Sequence, residues 1–162
     1  MSDHSQRIFV TGHRGLLGRA VVNELKRQGY NDVITADRRE LDLTDSSATL
    51  AFLRAKKPSF IIHCAALVGG IQANSARPVE FYRENALMQL SVIEGAHTAD
   101  VNNLMFFGSN CMYPLGLPQP MDEGQILKGP IEPSNLAYGT AKISGYVQCL
   151  NYHKQFGRNY FT

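Results

Sequence analysis

The chain has 162 residues, 44% of them hydrophobic and 19% charged, with a formal net charge of +2. That length suits one domain with a sizeable core, and the scattered basic residues give no support for a nucleic-acid or membrane-surface role. No apolar run approaches the roughly 18 residues of a membrane span, the polar Met1–Arg7 segment is not a signal peptide, and Cys64, Cys111 and Cys149 form no CxxC pair, so neither zinc nor a disulfide framework is expected and a reducing cytoplasm is the natural setting.

Strand-like and helix-like stretches alternate along the chain. Arg7 to Thr11 is a short apolar run that ends in a glycine-rich turn. Leu16 to Gln28 then places Leu17, Ala20, Val21 and Leu25 at helical spacing, with Gly29 as the stop. Val33 to Ala36 reads as a second strand, and Thr44 or Asp45 caps a helix reaching about Lys56. Phe60 to Ala65 is a third strand whose unbroken apolar run suits burial on both faces. Pro78 opens the longest helix, with Tyr82, Asn85, Met88, Val92 and Ala96 on one side. Leu104 to Phe107 is a fourth strand, residues 113–133 form a loop rich in Pro and Gly, Ala137 to Phe156 is a further helix, and Asn159 to Thr162 opens a fifth strand. Strands separated by such helices imply right-handed βαβ units and a doubly wound parallel sheet of the Rossmann type, an α/β fold filling residues 1–162.

The turn Thr11-Gly12-His13-Arg14-Gly15-Leu16-Leu17-Gly18 lies between the first strand and the first helix, where a dinucleotide site needs it. Gly12 permits the tight turn, Gly15 lets the backbone approach a pyrophosphate, and Gly18 lets helix and strand pack closely, while the helix N-terminus offers free N–H groups to phosphate. Asp37 follows at the end of the second strand, where an acid holds the ribose hydroxyls of NAD. Arg38 and Arg39 come next, and with Arg14 they lean toward the 2′-phosphate of NADP; the alternative is that Arg38 and Arg39 are solvated loop charges. Asp42 and Leu43 fall where related reductases set an acid–hydrophobic pair against the adenine.

Tyr138 and Lys142 form YxxxK on a helix, and the i,i+4 spacing puts both on one face. A free phenol titrates near pH 10 (about 10), so a neighbouring ammonium is expected to lower it and make Tyr138 a workable acid/base. Ser109, at the C-terminal end of a parallel strand, points into the ligand crevice, where its hydroxyl can donate to a carbonyl oxygen that gains charge. Cys111 is open to two readings from chemistry alone: a small buried hydrophobe, or a base.

The Gly-His-Arg-Gly turn, Ala65-Ala66-Leu67-Val68-Gly69-Gly70-Ile71 with Asn74, the segment Ser109-Asn110-Cys111-Met112-Tyr113-Pro114, and Tyr138-Gly-Thr-Ala-Lys142 together resemble GDP-L-fucose synthase, a family of extended short-chain dehydrogenases/reductases. The likeness runs through the whole chain, and Val68-Gly69-Gly70 and Cys111 are its most specific parts. It implies an NADP(H)-dependent enzyme that epimerises C3 and C5 of GDP-4-keto-6-deoxy-D-mannose and then reduces the C4 ketone. Ser109, Tyr138, Lys142 and Cys111 would be catalytic, with Cys111 the base at the carbons beside the ketone. Gly12, Arg14, Gly15, Leu16, Leu17, Gly18, Arg38, Asp42, Leu43, Ala65, Ala66, Tyr138 and Lys142 would line the cofactor. Val68, Gly69, Asn74, Asn85, Ser109 and Asn110 would form the substrate site, with Asn74 and Asn85 shaping the crevice floor.

The resemblance also implies a homodimer through the helices spanning about 78–99 and 137–156, with no metal. It places the histidine partner of the cysteine, and the domain that holds the GDP-sugar, after residue 162. The chain is therefore expected to be an N-terminal portion that binds NADPH weakly and does not reduce the keto-sugar alone. Two rivals stay open: a GDP-mannose dehydratase or UDP-sugar 4-epimerase, and a non-catalytic nucleotide-binding relative.

Overall fold

The computed structural model describes residues 4–162; Met1–Asp3, the start of the polar N-terminal segment, lie outside the described residues. Five parallel strands form one sheet in the order β2-β1-β3-β4-β5, where β1 is Ile8–Thr11, β2 Val33–Ile34, β3 Phe60–His63, β4 Asn103–Phe106 and β5 Asn159–Phe161. The helices are α1 Leu16–Arg27, α2 Ser46–Lys56, α3 Ile71–Ala76, α4 Pro78–Thr98 and α5 Leu136–Phe156. From β1 the chain moves outward to β2, then crosses back to β3. Right-handed crossovers in opposite directions put their helices on opposite faces. So α1 packs against β1 and β2 on one face, while on the other α4 packs between α2 and α5.

Local chemistry explains the boundaries. Asp45, not Thr44, caps α2, its carboxylate accepting from the Ala48 amide. Pro78 starts α4, where its missing N–H is no loss, and Gly157 ends α5 in the left-handed region. The core lies beneath the three-helix layer, where Phe9, Ile61, Leu104, Phe106 and Tyr160 meet Leu53, Val92, Ile93, Ala96 and Cys149.

Four expectations change. β2 is two residues long, because the chain leaves the sheet edge after Ile34 and folds into the loop capped by Asp37. β3 is not buried on both faces: Ile61 and His63 are buried while Phe60 and Ile62 are half-buried. On their side of the sheet, no helix among the described residues covers β3 to β5. The buried face of α4 carries Phe81, Asn85, Gln89, Val92, Ile93 and Ala96, and Tyr82 points outward. The short helix α3, unread from sequence, follows Gly70.

Candidate functional site

The strand order reverses between β1 and β3, and ligands of open parallel sheets bind outside the C-terminal strand ends at such a point. The glycine turn after β1 meets the Cys64–Val68 segment after β3 there. Gly12 has φ +64°, a region that favours glycine, and a Cβ on it would stand 2.7 Å from the Ala65 Cα. A Cβ on Gly18 would run into the Gly12 carbonyl oxygen, so the first turn of α1 rests directly on the loop. At Gly15 a Cβ would meet only that same oxygen, at 3.3 Å, leaving the outer side of the turn open.

This junction is braced from below by two buried side chains. The Thr11 hydroxyl accepts from the Ala65 amide (3.0 Å) and lies 2.9 Å from His63 Nδ1. The hydroxyl has one proton and two lone pairs, so it can hold the amide and the imidazole together. Burial, helped by Lys142, pushes His63 down to about 3 and keeps it neutral. Neither residue was singled out from the sequence; a threonine and a histidine ending two adjacent strands was the available signal.

A cleft of about 800 Å³ runs across the junction. Of the expected cofactor residues, Gly12, Arg14, Gly15, Leu16, Leu17, Gly18, Arg38, Asp42, Leu43, Ala65 and Ala66 line it, and Tyr138 and Lys142 stand at its far end. His13, Cys64, Arg77, Glu80, Glu84 and Met88 line it too and were not expected. Volume, glycine cradle and open helix N-terminus fit a dinucleotide, with its pyrophosphate at the α1 end.

At the β2 end the charges are paired. Arg14 meets Asp37 at 2.8 Å, and Arg38 meets Glu84 at 3.2 Å and Asp42 at 3.8 Å. Asp37 also caps its own loop by accepting from the Arg39 and Glu40 amides, and these bonds, ahead of Arg14, hold its carboxyl below the usual range. Arg39 does not line the cleft, so Arg38 is the loop arginine that faces it.

At the other end α5 presses against the 3-10 turn Asn110–Met112. Gly139 makes this possible, since a Cβ there would strike the Cys111 carbonyl oxygen. Ser109 accepts from the Cys111 amide at 3.2 Å, and the Asn110 side-chain oxygen accepts from both the Ser109 hydroxyl (3.3 Å) and the Cys111 thiol (3.6 Å). Ser109 and Cys111 both lie close enough to the Tyr138 phenol to act on its proton. Ser109, Cys111 and Tyr138 are thus brought together, with Asn110 steering two of them.

The tyrosine's protonation differs from expectation. Burial first, then the neighbouring Cys111, raises Tyr138 above its ordinary value, with the Ser109 hydroxyl opposing. Lys142 does not reach the phenol in the described structure. Its Nζ donates to the Phe107 carbonyl at 2.9 Å and sits 4.6 Å over the Phe106 ring, 6.0 Å from the centre of the Tyr138 ring. Burial brings Lys142 down to about 8, and pushes the adjacent Cys64 thiol up to about 11. Near neutrality the site therefore holds a protonated phenol and an ammonium.

The residues expected at the sugar divide. Val68 is exposed and lines the cleft. Gly69 packs on Phe81 and Ala73, closely enough that a Cβ would crowd both. Asn74 and Asn85 are buried and committed to backbone: Asn74 donates to the Gly69 and Gly70 carbonyls, and Asn85 clamps both polar groups of Leu67. They hold the crevice wall rather than face it. Among the described residues no group of three His, Cys, Asp or Glu comes together to hold a metal ion, and no helix is long and apolar enough to cross a membrane.

Known proteins resemble the chain in sequence and fold. The profile of the NAD dependent epimerase/dehydratase family matches residues 8–162. A GDP-L-fucose synthase of Escherichia coli (strain K12) is 41% identical over 155 residues, 96% of this chain and 48% of the relative. One from Sinorhizobium fredii is 43% identical over 157 residues, 97% of this chain and 50% of the relative. Among solved structures, a GDP-mannoheptose C4 reductase from Campylobacter jejuni with NADP bound superposes with a TM-score of 0.95 at 34% identity, over 100% of this chain and 48% of that one. The chain spans about half the length of the curated relatives it matches.

Proposed function

The chain belongs to the NAD dependent epimerase/dehydratase family, and from that premise we propose that it forms the NADP(H)-binding and proton-transfer part of an enzyme converting GDP-4-keto-6-deoxy-D-mannose to GDP-L-fucose. The observation that carries this reading is that Tyr138 and Lys142 line one end of a cleft large enough for a dinucleotide, with Ser109 and Cys111, which do not line it, close enough to the phenol to act on its proton. The solved neighbour with NADP bound and the fucose synthases at 41–43% identity support it.

NADP(H), held along the glycine turn with Lys142 at its nicotinamide-ribose end, supplies the hydride when bound. The protein's own residues handle the protons. Ser109 donates to the C4 ketone oxygen, and the phenol of Tyr138 hands that oxygen a proton as it becomes an alkoxide. Its raised affinity for the proton suits a donor at neutral pH. Cys111, as the thiolate, removes the protons at C3 and C5, which the polarised ketone acidifies, and each enolate takes a proton back on the opposite face from an acid other than Cys111. Enolate and alkoxide place charge on the same oxygen, so one pair of donors serves both reactions. Asn110 keeps the thiol beside Ser109, which a dehydratase needing an acid at that position would not do. We further assign α4 and α5 as a homodimer interface, supported by exposed Leu87 and Leu90 on α4.

The test supplies NADPH and the keto-sugar to the chain, and to a chimera in which it replaces the matching half of the Escherichia coli relative. Deuterium entering C3 and C5 from heavy water reads epimerisation, and NADPH oxidation reads reduction. Y138F is expected to lower reduction at least about 100-fold, while C111S lowers exchange far more than reduction. A chimera without NADPH oxidation would overturn the reading, and equal loss of both signals in C111S would remove the cysteine from its role as base.

A further inference from the structure

Arg38 is the loop guanidinium that faces the cleft, and it already has a partner. Its Nη2 lies 3.2 Å from Glu84 Oε2 on α4, whose other oxygen accepts from Arg83 at 2.9 Å. The two ends of this pair are held differently. The Arg38 side chain is 73% exposed on a loop, whereas Glu84 is 18% exposed on a rigid helix that packs against α2 and α5. Glu84 also lines the cleft. A phosphate dianion arriving at Arg38 must therefore share the guanidinium with the carboxylate of Glu84, and with that of Asp42 at 3.8 Å, and it meets like charge at close range. Arg14 is paired in the same way with Asp37, whose carboxylate is tied to its own loop by two amides.

We propose that Glu84 is a specificity-determining residue, competing with the ligand's 2′-phosphate for Arg38 and so holding down the preference for NADPH over NADH. It does not touch the reacting atoms; it acts through Arg38, and the inference rests on the reading that this cleft takes NADP(H). A 2′-hydroxyl carries no charge to compete, so ligands without the phosphate are indifferent to Glu84.

Calorimetry on the full chain with adenosine 2′,5′-bisphosphate and adenosine 5′-monophosphate tests this without turnover. E84Q is expected to bind the bisphosphate about threefold to fivefold more tightly, the scale of a half-exposed ion pair, with the monophosphate unchanged. R38M should weaken the bisphosphate selectively, and E84Q added to R38M should then have no effect. If R38M is selective but E84Q leaves bisphosphate binding unchanged or weakens it, the competition is refuted and the cofactor reading survives. If R38M does not distinguish the two ligands, the cofactor reading fails at this corner and the proposal falls with it. Tightening of both ligands by E84Q would make Glu84 a general electrostatic brake and would equally overturn the proposal.

Discussion

Burial takes the Lys142 ammonium from 10.5 down to about 8, so its charge is complete below that pH and lost above it. If the ammonium holds the nicotinamide ribose, NADPH affinity falls as pH rises through about 8, and in K142R the fall moves to higher pH because a guanidinium stays charged. Unfolding by this group cannot mimic the effect. Between the folded value and 10.5 the unfolded chain binds the proton and the native chain does not, so stability rises with pH across that window. Fluorescence titration of NADPH at several pH values measures it; a flat profile for the wild type would exclude the charged contact. At this scale the sequence was legible where spacing dictates proximity, as with Tyr138 and Lys142 on one helix face. It was not legible where tertiary packing decides direction. Phe106 and the Phe107 carbonyl draw Lys142 away from the phenol, and the expected lowering of Tyr138 became a rise. Thr11 and His63 escaped notice because their bond joins strands 52 residues apart.

Elements were readable where caps and breakers fix them: Asp45 and Pro78 mark boundaries the structure keeps. Faces were less so. A helix of 21 residues that touches α2, α3, α5 and β3 buries more than one stripe, which is why the one side read from spacing leaves out the buried Phe81 and Gln89 and includes the exposed Tyr82. The same crowding gives a use to what stays outside. Leu87 and Leu90 are 39% and 52% exposed, three residues apart on α4. With α4 and α5 as a dimer interface, L87D combined with L90D yields a folded monomer in sedimentation, while the wild type sediments as a dimer. A wild-type monomer at concentrations well above the assay range would refute the assignment.

For the whole molecule, the α/β alternation announced a doubly wound sheet, and the reversal between β1 and β3 sets the cleft where the glycine turn, Ala65 and Ala66 converge. The pairing of every cleft arginine on the β2 side with an acid could not be read from the chain, since Glu84 lies 46 residues from Arg38. It decides how a ligand phosphate is received. The central claim, that this cleft is an NADP(H) site built on the glycine turn, is tested most directly by titrating the chain with NADPH and NADH while following nicotinamide fluorescence. The account predicts saturable binding of NADPH, weaker binding of NADH by up to about tenfold for one charge-assisted contact, and loss of both in G18A, whose Cβ would strike the Gly12 carbonyl. A folded chain that shows no saturable NADPH binding, or a folded G18A that binds as well as the wild type, would contradict it.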